Sequence, residues 1–144
     1  MKSKHLVPSV ITLLGFILVL VTGCGESKSA NPLSSEVAAY TGTLIGSIDG
    51  LKGYTFKSTQ YEDGSVKAAW TGPSSISGTL TGTAKGLQLS ITGLSLAGCT
   101  VSSVSGSTTS TAIQAGTITG TLNALLAGGG CNSLPSAQVS LTKK

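Results

Sequence analysis

The sequence predicts an all-β domain: an antiparallel up-and-down meander that closes on itself as a small barrel or a sandwich, preceded by an N-terminal signal helix. Three observations predict it. Short stretches alternate apolar and hydroxyl residues with period two, which is how a strand with one buried face reads. Glycine-centred turn signals separate these stretches about every 8–12 residues, as in sandwiches and barrels. Helix is disfavoured, because the chain is rich in Gly (20 residues), Ser and Thr and holds few acid-to-lysine pairs at helical spacing.

The first element is not part of that domain. Lys2 and Lys4 form a positive head, and residues 6–21 follow without a single charge. A charged head, an apolar core and a small residue before a cut site are the three parts of a secretory signal. The apolar run is short for a membrane span, which needs about 20 residues. The sequence therefore divides into a signal peptide at 1–23, a flexible Ser/Asn/Pro-containing tether at 24–35, and a β domain at 36–144.

Inside the domain one phrase occurs three times. Thr41-Gly42-Thr43-Leu44-Ile45-Gly46-Ser47 returns as Ser77-Gly78-Thr79-Leu80-Thr81-Gly82-Thr83 and as Ala115-Gly116-Thr117-Ile118-Thr119-Gly120-Thr121. Each copy reads as a strand with threonines outward and glycine and leucine or isoleucine inward. Inward glycine leaves room for strong curvature or for a neighbour's bulky side chain. Between the first two copies, Asp49-Gly50 and later Gly53 mark turns, and Glu62-Asp63-Gly64 joins strands at 54–61 and 65–71 as a hairpin. Gly72-Pro73 stops the strand that holds Trp70. Ala84-Lys85-Gly86 then turns the chain into a strand carrying Leu87, Leu89 and Ile91, which Leu94 and Leu96 extend towards Cys99. Further on, strands are expected at 101–104 and 111–122 around a Ser/Thr stretch broken at Gly106, and a closing strand at 137–141. Ala124-Leu125-Leu126-Ala127 is expected to form one helical turn before Gly128-Gly129-Gly130.

The residues that close the apolar run carry a family resemblance. Val21-Thr22-Gly23-Cys24 resembles the lipobox of bacterial lipoproteins, with an aliphatic residue three before the cysteine and small residues between; Thr22 is a less usual second position. The resemblance implies cleavage between Gly23 and Cys24, diacylglyceryl transfer to the Cys24 sulfur, acylation of the new amino terminus, and sorting to the outer membrane. Several acyl chains on one residue are what a stable anchor needs, since one chain binds only marginally. The domain is also similar in composition to small bacterial lipoproteins with Gly/Thr-rich β-meanders, a likeness that carries no functional residues.

With Cys24 acylated, Cys99 and Cys131 remain. In an oxidising compartment such a pair in a small domain is most often a disulfide. It would close a loop of about 33 residues and contribute roughly 3–4 kcal/mol in the chain-entropy model. Two free thiols or a metal pair are the alternatives, the latter poor because no histidine follows His5.

The same inventory excludes several functions. The chain has a formal charge of +4, but its lysines are scattered, arginine is absent and aromatics are few, so no nucleic-acid groove is expected. Without a histidine after His5 the usual Ser–His nucleophile cannot be built. Glu62 and Asp63 are adjacent and read as turn polarity; Glu36 and Asp49 fall near strand ends. Gly128-Gly129-Gly130 lacks the following GK[ST] of a phosphate loop. The Thr-x-Thr arrays read as a solvent-facing sheet rather than an ice-binding face, whose repeats are shorter and even. No catalytic residue, metal ligand or cofactor is expected.

Trp70, Phe56 and Tyr54, with Tyr40 and Tyr61, are the large side chains of the domain and form its core; in a barrel the same residues line a pocket. The expected function is a lipid-anchored, non-enzymatic binding or structural module of the envelope, with the membrane and other envelope proteins as partners. A lipocalin-like carrier of a small apolar ligand is the second expectation, and a carboxylate enzyme the third.

Overall fold

Eight strands follow one another around a closed antiparallel barrel, each hydrogen-bonded to its sequence neighbours and the last to the first. The computed structural model describes residues 29–144; the expected signal peptide and Cys24 lie outside the described residues. In chain order the strands are β1 (Gly42–Ile48), β2 (Leu51–Gln60), β3 (Ser65–Thr71), β4 (Ser77–Lys85), β5 (Gln88–Leu96), β6 (Thr100–Ser110), β7 (Thr117–Ala127) and β8 (Leu134–Lys143). Between barrel and sandwich, the β1–β8 ladder decides for the barrel: it runs from Leu44 opposite Lys143 to Ile48 opposite Val139.

The period-two pattern explains why these segments are strands and which face turns in. On β4, Leu80, Gly82 and Ala84 are buried while Thr79, Thr81 and Thr83 are exposed. On β8, Ala137, Val139, Leu141 and Lys143 alternate with exposed Gln138, Ser140 and Thr142. Apolar inside and hydroxyl outside is the reverse of a membrane-spanning barrel, whose outer band is apolar. Among the described residues no helix is long and apolar enough to cross a membrane.

A barrel of eight strands is just wide enough for side chains to fill it, and the wall must bend sharply to close. Two of the repeat glycines show how. At Gly120 a Cβ would collide with the Ser107 carbonyl oxygen and sit 2.6 Å from Thr108 Cα, so only glycine lets β6 and β7 fold this tightly. Gly78 stands opposite Trp70 in the β3–β4 ladder, and a Cβ there would meet the Ser95 carbonyl oxygen and lie 2.9 Å from Trp70 Cζ2. The indole occupies the space the missing side chain leaves.

Three sequence expectations are corrected. Gly106 does not break a strand: it is paired with both Ile91 and Leu122 in the middle of β6, and the loop lies at 111–116 instead. The glycine marks a close approach of β7, not a stop. Ala124-Leu125-Leu126-Ala127 is the end of β7 rather than a helical turn, because the β6 ladder continues to Thr100 opposite Ala127. The expected tether is not free along its whole length. Leu33 N–H donates to the Gln60 carbonyl at 2.8 Å, Glu62 N–H donates to the Asn31 carbonyl at 2.9 Å, and Pro32 bridges Tyr61.

These contacts carry the N-terminal segment across one end of the barrel. Ala38, Ala39 and Tyr40 are buried there as a plug. The Tyr40 hydroxyl donates to the Leu87 carbonyl at 2.8 Å and accepts from Thr108 Oγ1 at 3.3 Å. Lys143, 5% exposed, extends its ammonium to the carbonyls of Ser35 (2.8 Å), Ala38 (2.8 Å) and Ile113 (2.7 Å). All three of its N–H bonds are thereby used, which is what makes a buried charge tolerable. This end is sealed; the other is not.

A one-mouthed apolar cavity as candidate functional site

At the opposite end the strands β1–β2, β3–β4, β5–β6 and β7–β8 are joined by four turns that ring a mouth. The β1–β2 turn is tight because Asp49 and Gly50 both take positive φ (51° and 78°), the geometry that matches the twist of a two-residue hairpin. The β5–β6 and β7–β8 turns are tied together by the Cys99–Cys131 disulfide. Below them lies a cavity of about 420 Å³, within the range of small-molecule pockets.

Its wall on β2 and β3 is aromatic. Tyr54, Phe56 and Trp70 all line it, with the Trp70 ring 6.1 Å from Tyr54 and 6.3 Å from Phe56, both tilted. These are favourable aromatic separations. The facing wall is aliphatic: Leu94 and Leu96 on β5, Leu122 and Leu126 on β7, and Leu134 on β8. Phe56, Leu80 and Leu122 form the floor, since they also bound the small void of about 40 Å³ that continues beneath. The disulfide and Asn132 complete the rim.

The polar groups of this wall are few. Burial raises the Tyr54 phenol above its ordinary pKa of 10.0, so it stays neutral. The indole Nε1–H of Trp70 is buried without a hydrogen-bond partner, which costs about 1–3 kcal/mol. Among the described residues no acid or lysine lines the cavity. Glu36, Asp49, Glu62 and Asp63 are exposed and lie on the N-terminal segment or in turns; Asp63 spends its carboxylate on Ser65 N–H and Oγ, which hold its pKa below the usual value. Among the described residues no group of His, Cys, Asp and Glu is placed to hold a metal ion.

The aromatic residues singled out in the sequence thus divide. Tyr54, Phe56 and Trp70 meet at the mouth, because 54, 56 and 70 share the inward parity of paired strands and Phe56 stands opposite Trp70. Tyr40 belongs to the sealed end, and Tyr61 lies in the β2–β3 turn with Lys67 Nζ 5.5 Å from its ring centre. Sequence reasoning missed Lys143, whose burial nothing in its neighbourhood announces except its inward parity after Val139 and Leu141. It also missed the aliphatic wall of β5 and β7.

Fold and cavity together define a closed cup with one apolar mouth. No protein-family model matches the chain, and neither does any curated protein or any solved structure. A small barrel of this kind is compatible with a binding module or a lipocalin-like carrier.

Proposed function

We propose that this protein is a non-enzymatic envelope module that holds a small apolar molecule in the mouth of its barrel. The observation that carries the reading is the cavity itself. A protein selected only for stability fills its interior to crystal-like density. Here the sealed half keeps a void of only about 40 Å³, while the mouth half keeps about 420 Å³ open against three aromatic rings.

The proposal includes the anchor. Cys24, in its lipobox-like setting, carries the acyl chains after cleavage at Gly23, and holds the protein on the outer membrane. Six residues lie between Cys24 and Asn31, and the seven steps of chain reach at most about 25 Å. Asn31, Pro32 and Leu33 dock beside Gln60, Tyr61 and Glu62 at the sealed end, which supports a mouth that faces away from the lipid surface. That orientation leaves it open to an incoming ligand or to a second envelope protein.

Titration with the neutral fluorescent dye N-phenyl-1-naphthylamine tests the binding half. The expected result is saturable enhancement at one dye per chain, weakened at least tenfold in Trp70→Ala. Absence of saturable enhancement in the folded wild type contradicts the reading. For the anchor, Cys24→Ser is expected to leave the protein uncleaved and without the added acyl mass; identical mass and membrane partition in the two forms contradict it.

A further inference from the structure

The shape of the cavity says more than that its occupant is apolar. Resting on the binding role proposed above, we infer that the ligand class is a compact neutral ring compound bearing one hydroxyl or carbonyl, of about the size of a two-ring aromatic, and not a fatty acyl chain.

Depth sets the first limit. From Ile76 at the rim to Leu80 at the floor the chain covers about 13 Å at the usual strand rise, or about 10 Å of depth once the roughly 35–45° tilt of barrel strands is allowed for. Below the floor only about 40 Å³ remains, and the far end is sealed by Tyr40 and Lys143. A membrane lipid's acyl chain extends over roughly 15 Å, half the hydrocarbon thickness of a bilayer. Such a chain has nowhere to thread.

Charge sets the second. A carboxylate or ammonium brought into this cavity finds no counter-charge among the residues that line it, and an unpaired charge in an apolar site is strongly disfavoured. Among the described residues the one buried ammonium, on Lys143, is at the opposite end and has its three bonds filled by carbonyls.

The asymmetry of the walls sets the third. A flat ring can stack or meet edge-on with Tyr54, Phe56 and Trp70 on one side while the leucines of β5 and β7 cover its other face. The Tyr54 side chain lines the cavity, and its hydroxyl, in no hydrogen bond among the described residues, is the handle for a polar substituent. A buried polar handle discriminates strongly against the analogue that lacks its partner.

The test compares four compounds on the full chain at pH 7: 2-naphthol, naphthalene, 2-naphthoate and decanoate. Equilibrium dialysis gives the affinities, and the indole N–H resonance of the single tryptophan reports whether each compound sits at Trp70. The expected result is that 2-naphthol binds at least tenfold tighter than 2-naphthoate and decanoate and shifts the indole signal. Tyr54→Phe should weaken 2-naphthol severalfold and leave naphthalene unchanged; equal effects on both would overturn the assignment of the handle. Decanoate binding as tightly as 2-naphthol, with the indole shifted, overturns the ring class but keeps the cavity as a binding site. If none of the four shifts the indole signal, both this inference and the binding role fall.

Discussion

Lys143 shows how one side chain can fix an end of the molecule. Its ammonium joins residues 35 and 38 of the N-terminal segment to residue 113 of the β6–β7 loop, two regions far apart in sequence. Burial pulls its pKa below the ordinary 10.5, while the three carbonyls favour the charged form. Lys143→Met removes charge-assisted bonds and strands buried carbonyls, so a loss of about 3 kcal/mol is expected in urea unfolding, against less than about 0.5 for the exposed Lys144→Met. Amide exchange should accelerate in residues 33–41 of the first variant only. Equal stabilities would show that the pin contributes nothing. Tyr40, buried at the same end of the barrel, supplies a pH dependence. Burial raises its pKa above 10.0, so the folded state keeps the phenol neutral after the unfolded chain has begun to ionise. Its contribution is whole below pH 10 and is lost as pH climbs through the folded value. Tyr40→Phe should therefore lower stability near neutrality by about 1 kcal/mol and flatten its decline above pH 10. Parallel pH profiles for variant and wild type would refute the account of this group.

At the scale of elements, the strands that repeat the Gly-Thr phrase were the most legible part of the sequence. Leu80, Ile118 and Leu122 point inward, as alternation requires. What alternation could not give was the meaning of an inward glycine. Gly106 reads locally as a stop, yet Gly106 and Gly120 are places where a neighbouring backbone comes too near for a Cβ, and that nearness is a property of the closed wall. The leucines of 124–127 were misread for a related reason: four residues of mixed propensity are decided by the partner strand, not by themselves. The two cysteines were legible as a pair, and the disulfide joins the β5–β6 and β7–β8 turns at the mouth. Replacing both by serine is expected to cost roughly 3–4 kcal/mol in chemical denaturation. Amide exchange should rise first in residues 97–99 and 128–133, with little change at the sealed end. Uniform loosening of the barrel would contradict a bridge that acts locally on the mouth.

For the whole molecule, the architecture separates two tasks. The sealed end gathers the N-terminal segment, the buried lysine and a hydroxyl layer of Ser58, Thr108 and Ser110; the mouth end gathers the aromatic trio, the leucine wall and the disulfide. The proposed role puts the tether at one end and binding at the other. The aromatic trio was foreseeable, since the sequence has few large residues and three of them share parity on adjoining strands. The division into ends was not, because it depends on Lys143 meeting Ser35 and Ala38 across more than a hundred residues of chain. The claim on which the functional account turns is that the mouth is occupied in use. Native mass spectrometry of the protein purified without denaturant from its native source tests that most directly. The account predicts an added mass of one small neutral compound per chain, retained by the wild type and absent from Trp70→Ala that still folds. A wild-type protein that flies at its own mass alone, from gentle extraction, would contradict it.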